Sequence, residues 1–378
     1  MDLALHATLT GWRRHLHAHP EVSLQERATA AFVAERLREL GIPFAAGVGG
    51  HGVVATLRRG GSNRSVGLRA DMDALPIAEA TGLPYASANP GVMHACGHDG
   101  HTTSLLGAAA LLARDPGWSG TVHFVFQPAE EGAGGALAML GDGLLVRFPM
   151  ERIFGYHNWP GLPAGTVAVH EGPVMAAGAR FQYVVRGRSG HAALPHETRD
   201  PMVAAAHLLL AAQSIVSRET NPLDSVVISF ATMSAGSAQN QIPDQAVLAG
   251  TTRSLRETVR DATEAAMHRI AKGVSVTFGV EIDLTMRRGV AVTENRPEEA
   301  ALAAEAAEAA GLALRRDLPP AMAGEDFGWF LKEIPGAFVW IGNGDGPGLH
   351  NAGYDYNDAI LPAAAGYLAA VARRALAG

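Results

Sequence analysis

Residues 65–73 read SVGLRADMD and join a short apolar run to a pair of aspartates. The length and apolar character of the run SVGLRA are those of a buried β-strand. Three similar runs, each bounded by glycine or proline, follow along the chain: TVHFVF (121–126), RIFGY (152–156) and AFVWIG (337–342). Because Ala/Leu-rich helical runs alternate with them, the sequence predicts an α/β fold with a central sheet.

Side chains of the types that commonly bind metals or transfer protons follow each of these predicted strands. They are Asp71 and Asp73, then Glu130 and Glu131, then His157, and finally His350 beyond a glycine-rich loop. An open α/β sheet carries its functional site just past the carboxyl ends of its strands. The sequence therefore predicts that these side chains share one site.

The alternation changes between residues 177 and 287. The predicted elements there are a strand, a helix, two strands, a helix and a strand: 180–188, 200–218, 225–236, 245–255, 257–274 and 276–289. A β-α-β-β-α-β unit can fold by itself as a two-layer sandwich, and 378 residues exceed what one core usually supports. We therefore predict a domain of residues 177–287 inserted into a domain formed by 1–176 and 288–378. The last part of that domain carries helices predicted near 297–310, 325–333 and 360–376.

The overall composition argues against several functional classes. The chain is 48% hydrophobic and 18% charged, with a net charge of −7 and a pI of about 6.1. A nucleic-acid groove or an anionic membrane surface favours the opposite charge, so we expect neither partner. No window of about 18 residues is uniformly apolar, and the first residues lack the order of a secretory signal. One cysteine permits no internal disulfide, which agrees with a cytoplasmic protein.

The stretch MHACGHDGH, residues 93–101, contains three histidines, an aspartate and the only cysteine. In an irregular turn at Gly97, the side chains of Cys96 and His98 can converge on one metal ion. The helical run that follows places the pair at a helix N-terminus, where the dipole favours a thiolate. For an isolated C-x-H pattern, a buried free cysteine beside polar turn residues is the better explanation. Whether Cys96 and His98 are interpreted as metal ligands therefore depends on the other motifs.

Two adjacent carboxylates occur in QPAEEG, residues 127–132. Holding two negative charges together is unfavourable unless they share a cation or a proton. One carboxylate can bind metal while its neighbour takes a proton from an activated water and passes it to a leaving amine. If the pair stood alone, an exposed acidic turn would be a fair alternative.

His157 in YHNWPGLP and His350 in GLHNAGY complete a set of metal-ligand side chains, although either histidine alone is more often a satisfied polar residue. The full inventory is one thiolate, one carboxylate and three imidazoles. That is too few for two closed tetrahedral sites but enough for two metal sites that share Cys96. Thiolate and imidazole ligands favour zinc, cobalt or nickel.

Seven motifs, in this order and spacing, resemble the amidohydrolase branch of the aminoacylase/carboxypeptidase metallopeptidase family, which includes hippurate hydrolases, auxin-conjugate amidohydrolases and N-acetyldiaminopimelate deacetylases. The resemblance covers essentially the whole chain, and MHACGHDGH is its most specific part. The motifs are RADMDALP (69–76), MHACGHDGH (93–101), QPAEEG (127–132), HNWPGLP (157–163), SGHAALPH (189–196), AGEDF (323–327) and LHNAGYD (349–355).

The resemblance implies a mixed α/β catalytic domain of zinc-peptidase type and an inserted ferredoxin-like lid or dimerisation domain. It implies two divalent metal ions, and it admits manganese beside zinc, cobalt and nickel. It also implies a homodimer or a higher homo-oligomer. Carried over position by position, the metal ligands are Cys96, His98, Glu131, His157 and His350, with Glu130 as general base and acid.

The same resemblance assigns residues of the inserted domain to catalysis and substrate binding. It implies that His191 steadies the tetrahedral oxyanion, in its own or the partner subunit's site; a plain turn histidine is the alternative. Asn240 and Arg253 match positions that hold the substrate's carboxylate or oxyanion, and the Gly324 backbone contributes to binding. A guanidinium binds both carboxylate oxygens, whereas a cross-strand salt bridge is the other reading of Arg253.

Two departures from other branches of the family bear on the site. At the bridging position, Cys96 stands where those branches carry aspartate. Arg69 stands where other branches of the family place a metal-binding histidine, so it is not a ligand, and Asp71 is expected to orient a ligand histidine. The resemblance implies metal-dependent hydrolysis of the amide bond of N-acyl amino acids, either hippurate-like or N-acetylated. A metal-containing binding protein without catalysis and a dipeptidase are the alternatives. Glu130 argues against the first, and no group for a substrate amine is identified for the second.

Overall fold

The computed structural model describes residues 3–377 of the chain. Within them lie sixteen strands: β1 Phe44–Val48, β2 Gly52–Arg59, β3 Ser65–Asp71, β4 Gly120–Gln127, β5 Arg152–Pro160, β6 Thr166–Ala168, β7 Gly172–Met175, β8 Ala177–Arg186, β9 Gly190–His191, β10 Val226–Ala235, β11 Gln241–Ile242, β12 Gln245–Ser254, β13 Glu281–Arg288, β14 Thr293–Asn295, β15 Ala313–Arg315 and β16 Gly336–Gly344.

The same residues contain ten α-helices: α1 Leu3–Ala18, α2 Arg27–Glu39, α3 His98–Arg114, α4 Gly135–Gly141, α5 Leu144–Arg147, α6 Pro201–Ser214, α7 Glu257–Phe278, α8 Pro297–Ala309, α9 Gly328–Glu333 and α10 Leu361–Ala377. A π-helical turn, Ile215–Glu219, continues α6. Short 3-10 turns occur at Pro195–Glu197 and Asp358–Ile360.

One compact unit comprises Met1–Val174, Thr293–Pro319 and Asp326–Gly378. Its eight-stranded mixed sheet has the order β1-β2-β4-β3-β5-β16-β6-β15. The central strands β4, β3, β5 and β16 run parallel, whereas β1, β2 and β4 pair antiparallel. Helices α3, α8 and α10 pack on this sheet, and the apolar runs read from the sequence form its buried centre.

A second compact unit comprises Met175–Val292 and Pro320–Glu325. Its antiparallel sheet has the order β10-β12-β8-β13, and helices α6 and α7 pack against it. The core between these layers is built from side chains such as Tyr183, Leu208, Leu248 and Met267. Along the chain the elements follow as β8, α6, β10, β12, α7 and β13.

Several boundaries differ from the sequence-based prediction for physical reasons. Helix α7 continues to Phe278 and ends at Gly279, whose φ of 62° is left-handed, so the last strand begins at Glu281 rather than at 276. Strand β5 runs on to Pro160, which places His157 inside the strand instead of after it. Strand β2, whose apolar start GVVA is buried, was missed from the sequence, as were seven strands of only two to five residues: β1, β6, β7, β9, β11, β14 and β15.

Among residues 3–377, one segment is long and apolar enough to cross a membrane by length and composition, namely Asp358–Ala377, which contains α10. In the fold, 61% of its window is buried, and α10 packs against α3 and α8. This burial is typical of a core helix.

Candidate metal centre

The parallel strands bring three polar segments to one edge of the large sheet. In the register of β3 and β4, Asp71 lies opposite Gln127, so the segments that follow these two strands start side by side. Strand β5 lies on the other side of β3 and carries His157 near its carboxyl end. The site therefore begins where the parallel strands end, as an open α/β sheet predicts.

The turn before α3 places Cys96 and His98. Gly97 is left-handed, with φ 91°, and α3 starts at the next residue. A Cβ atom on Gly97 would lie 2.4 Å from Asn158 Oδ1 and 2.7 Å from the Tyr354 hydroxyl. A side chain at position 97 is therefore excluded both by conformation and by space.

The ring of His98 is oriented by Asp73. Its Nδ1 lies 2.9 Å from the Asp73 carbonyl oxygen and 3.2 Å from Asp73 Oδ1, so Nδ1–H donates to this residue. Nε2 is buried and has no hydrogen-bond partner. Because buried nitrogens are normally paired, an imidazole held in this way presents its lone pair to a ligand that is not a protein group.

The acidic turn, residues 128–134, follows β4 and contains both predicted carboxylates. Its Ala129 has a left-handed φ of 56°. The Glu131 N–H donates to Asp73 Oδ2 at 3.0 Å, and the Asp326 N–H donates to Glu130 Oε1 at 3.2 Å. The two adjacent glutamates are thus held separately, and Glu130 is buried with 8% exposure.

The ligand atoms of the predicted metal-binding residues lie close together. Cys96 Sγ is 3.3 Å from His157 Nε2, and His350 Nε2 is 3.2 Å from Glu131 Oε1. Three overlapping sets have all their ligand atoms within 4.8 Å of one another: Cys96, His98 and His157; Cys96, Glu131 and His350; and His98, Glu130 and Glu131. Cys96, His98 and Glu131 each belong to two of these sets, so the ligand atoms form one continuous cluster.

The electrostatics of the site differ from the sequence-based expectation at Cys96. Burial, together with the carboxylates of Glu131 and Glu130, raises the pKa of the Cys96 thiol well above its ordinary value. The expectation that the helix N-terminus favours a thiolate is therefore wrong for the protein alone, since burial and negative neighbours outweigh the dipole. Although burial opposes charge on His98, the carboxylates of Asp71 and Asp73 raise its pKa to about 10.

The donor set fits divalent cations. Thiolate, imidazole and carboxylate groups converge, and His98 offers a buried nitrogen without a partner. The negative surroundings that disfavour a Cys96 thiolate would be compensated by cations, whose binding displaces protons from thiol and imidazole. Such a mixed N, S and O set suits zinc and its neighbours among the transition metals.

A buried charge network supports this edge of the sheet. Arg69 donates from Nη1 to Asp71 Oδ2 at 2.8 Å, from Nη2 to Asp326 Oδ1 at 3.0 Å and from Nε to Gln127 Oε1 at 2.7 Å. Asp71 Oδ1 in turn accepts a hydrogen bond from His101 Nδ1 at 2.6 Å. Asp71 thus orients His101 directly, whereas the candidate ligand His98 takes its orientation from Asp73.

The second unit contains the other predicted site residues, in two pairs. His191 is exposed, and its Nδ1 accepts from the Ala193 N–H at 3.1 Å. Its strand β9 pairs with β11, and the Ala192 N–H donates to the Asn240 carbonyl, so that His191 and Asn240 lie on neighbouring segments. Arg253 lies against Gly324, because a Cβ atom added to Gly324 would be 2.9 Å from Nη1 of Arg253. Among the described residues no carboxylate forms a salt bridge with Arg253, and burial together with Arg180 lowers its pKa.

Residues that orient the site were hard to find from sequence. Asp73 was visible in RADMDALP but had no assigned role, and the only available signal was its position just past a strand. Asp326 was visible in AGEDF, yet its contacts with Gln127 and Arg69 span 199 and 257 residues of sequence. Glu26 accepts from the Ala129 N–H at 2.7 Å and carried no motif signal of its own.

Comparison with known proteins identifies the family. Residues 67–374 match the peptidase family M20/M25/M40. The chain is 41% identical over 366 residues to the hippurate hydrolase of Campylobacter jejuni, covering 96% of this chain and 95% of that one. It is 39% identical over 378 residues to the N-acetylcysteine deacetylase of Bacillus subtilis, covering 98% and 97%.

A solved structure agrees with these sequence relatives. A Bacillus subtilis protein described as a dinuclear metal-binding peptidase of the M20 family superposes with a TM-score of 0.90 at 36% identity, over 100% of this chain and 99% of that chain. The matched fold, the matched family and the convergent ligand side chains agree with one another. This chain belongs to the peptidase family M20/M25/M40 and is a metal-dependent amidohydrolase.

Proposed function

We propose that this protein hydrolyses the amide bond of N-acyl amino acids and uses two divalent metal ions held by Cys96, His98, Glu131, His157 and His350. The observation that carries the proposal is the convergence of these five ligand side chains beside a buried carboxylate, Glu130. A site that only stabilises the fold has no use for a second carboxylate next to Glu131.

Glu130 is the proposed general base and acid. The two ions, when bound, supply Lewis-acid activation of the water and of the amide carbonyl. The Glu130 carboxylate removes a proton from the attacking water and later delivers it to the nitrogen of the leaving amine. The hydrogen bond from the Asp326 N–H to Oε1 fixes the carboxylate, so that little reorganisation is needed during proton transfer.

Residues of the second unit are proposed to bind the substrate. His191 donates a hydrogen bond to the oxyanion that develops on the carbonyl oxygen. Arg253 has no carboxylate partner among the described residues, so it suits the free carboxylate of an amino acid. Asn240 and the Gly324 backbone complete this recognition. Relatives named for hippurate and for N-acetylcysteine motivate N-benzoylglycine and N-acetyl amino acids as substrates.

The second unit is also proposed to act as a ferredoxin-like lid and as the dimerisation domain. Strand β10 is at the edge of its sheet, and Val227 and Met233 on this strand are exposed. An unpaired edge with apolar side chains is suited to pairing with a second copy. Whether His191 serves its own or the partner subunit's site depends on this assembly. A cytoplasmic location stays a prediction from the single cysteine.

The decisive experiment replaces the two adjacent glutamates separately. Glu130→Gln should keep both metal ions, measured by metal analysis of the purified protein. It should lose about 10²–10⁴ of kcat on N-benzoylglycine or N-acetyl amino acids, assayed with zinc, manganese, cobalt and nickel in turn. Glu131→Gln is the matched control and should lose metal. Full activity in Glu130→Gln would refute the assigned role, and an inactive wild-type protein across the substrate and metal panel would refute the proposed reaction.

A further inference from the structure

The orientation of the Glu130 side chain depends on an unusual backbone conformation at the residue before it. Ala129 has φ 56°, a left-handed conformation that residues with a Cβ rarely adopt and that persists only where surrounding contacts hold it. Any relaxation of Ala129 would rotate the chain that leads directly into Glu130 and Glu131. The acidic turn must therefore be stabilised from outside.

Both peptide groups of Ala129 are held by contacts. Its carbonyl oxygen accepts from the Gly135 N–H at 3.0 Å, and a Cβ atom on Gly135 would lie 1.6 Å from the Pro128 carbonyl oxygen. Its N–H donates to Glu26 Oε1 at 2.7 Å. The first contact is local, whereas the second comes from more than one hundred residues away in the sequence.

Glu26 is rigidly placed to make this contact. It is fully buried, with 0% exposure, and it directly precedes α2. The carboxylate of Glu21 accepts from the N–H groups of Ala28 and Thr29 at 3.1 and 2.8 Å, which ties the segment before Glu26 to the start of α2. Ser23 donates to Asp73 Oδ2 at 2.6 Å, and that same oxygen accepts from the Glu131 N–H.

Helix capping does not account for Glu26. Although it occupies the N-cap position of α2, its side chain makes no capping hydrogen bond to that helix. The Ala129 N–H donates to Oε1, backbone groups of Leu24 and of Glu26 itself also act on the carboxyl group, and Oε2 is buried without a hydrogen-bond partner. A buried carboxyl group is costly, so its placement calls for a role outside its own helix.

We propose that Glu26 is a positioning residue for the hydrolytic reaction, because its carboxyl oxygen holds Ala129 in the left-handed conformation that orients the Glu130 side chain. This inference rests on the proposed role of Glu130 as general base. Glu26 does not touch the substrate or the ions in this proposal; it acts through the backbone of the acidic turn.

The chemistry of the contact selects the variants. The hydrogen bond from the Ala129 N–H needs an acceptor oxygen on residue 26 but no negative charge. Burial, with a contribution from Asp73, raises the pKa of Glu26. Glu26→Gln keeps the acceptor oxygen and should behave like the wild type. Glu26→Ala removes it and should lower kcat by about 10–100-fold, since small misplacements of catalytic groups have effects of this size. KM should change by less than about twofold, since no proposed substrate-binding group moves.

A second substitution tests the conformational argument itself. Glycine adopts positive φ without the steric cost of a Cβ. In the double variant Glu26→Ala with Ala129→Gly, the turn no longer needs an external contact to remain left-handed, so most of the lost kcat should return. Val33→Ala, at a fully buried position of α2, is the matched control, because it should lower Tm but leave kcat unchanged.

Amide hydrogen exchange supplies a readout independent of activity. In metal-free full-length protein, exchange of the Ala129 amide should be faster in Glu26→Ala and unchanged in Glu26→Gln. The inference is overturned by wild-type kcat in Glu26→Ala, by a Glu26→Gln variant as impaired as Glu26→Ala, by failure of Ala129→Gly to restore activity, or by an equal kcat loss in Val33→Ala. Activity retained in Glu130→Gln would instead refute the proposed function, and the exchange result would still report on the turn.

Discussion

The acidic turn of the first unit and the His191 loop of the second unit present reactive side chains in opposite ways. Glu130 is buried, and its turn is held by hydrogen bonds from segments distant in sequence. His191 is exposed, at the end of a two-residue strand, and its ring nitrogen Nδ1 accepts a hydrogen bond from the neighbouring Ala193 N–H. The two side chains are therefore held differently: Glu130 is fixed in a buried turn, whereas His191 is accessible to solvent.

The comparison indicates where stability and activity are coupled. Ligands for metal ions and a general base need fixed geometry, and a buried charged network provides it at a cost in folding free energy that only complete pairing offsets. A hydrogen-bond donor that meets the substrate needs access. We therefore expect substitutions near the acidic turn to change stability as well as activity, and substitutions at His191 to change activity alone.

Arg69→Met should produce the largest change in stability. It removes the buried cation that pairs with Asp71 and Asp326 and leaves the negative charge of these buried carboxylates without its guanidinium partner, which should cost about 3–5 kcal/mol in the free energy of unfolding. Arg374→Met removes an exposed ion pair with Glu305 and should cost under about 1 kcal/mol. Chemical denaturation of both variants measures the difference; similar losses would mean that the buried network does not carry the stability of this region.

His191→Ala should have the largest effect that is confined to activity. Loss of one donor to a developing oxyanion lowers kcat by about 10²–10³, whereas removal of an exposed side chain changes the free energy of unfolding by less than about 0.5 kcal/mol. Steady-state kinetics and thermal unfolding on the same preparation test this. His196→Ala, in an exposed residue of the same loop, is the control and should retain kcat. A His191→Ala variant that unfolds more easily would remove the contrast between the two regions.

Metal removal should destabilise the protein by an intermediate amount. A ligand present at about 100 times its Kd stabilises the folded state by about 2.7 kcal/mol, so a chelator should lower Tm in the wild type. In His98→Ala, which lacks the nitrogen oriented by Asp73, the chelator should have a much smaller effect. A chelator shift of equal size in both proteins would show that the ions bind elsewhere.

The smallest expected effect is an acid-dependent loss of stability at His123 in β4. Its Nδ1 lies 3.0 Å from Thr56 Oγ1 and its Nε2 lies 3.2 Å from the Pro149 carbonyl, and burial lowers its pKa to about 4. Because the unfolded chain binds a proton near pH 6.5 and the folded state does not, stability should fall as pH drops from 6.5 to about 4, by about 1–3 kcal/mol. Below pH 4 the folded state also binds the proton, and this loss levels off.

Comparison of variants isolates that contribution from other titrating groups. His123→Gln should show a shallower decline between pH 6.5 and 4, measured by denaturant unfolding at several pH values. The same substitution at the exposed His268 should follow the wild type. Parallel curves for the wild type and His123→Gln would contradict the lowered pKa.

Much of the architecture was predictable because its signals are local. Apolar runs such as 65–70 and 121–126 form parallel strands of a mixed sheet, and the predicted family is confirmed by comparison with known proteins. The ligand set drawn from MHACGHDGH, QPAEEG and the two histidine motifs converges in space, although its function stays a prediction until metal binding is measured.

The remaining features depend on contacts that no local pattern records. The helix N-terminus predicted a thiolate at Cys96, but burial and the carboxylates brought near it by folding raise its pKa. Asp73 and Glu26 act through backbone groups of Glu131 and Ala129. Every residue except proline has a backbone N–H, so the sequence does not show which amide a given carboxylate binds. These two contacts could therefore be identified only from the structure.

The left-handed Ala129 sets a lower limit on the smallest active fragment of this chain. The family match begins at residue 67, and a fragment cut there would retain every proposed metal ligand and Glu130. It would lack Glu26, whose Oε1 accepts from the Ala129 N–H, as well as strands β1 and β2 of the large sheet. Shortened versions made for engineering should therefore keep the leading helices, even though none of the reacting groups lies within them.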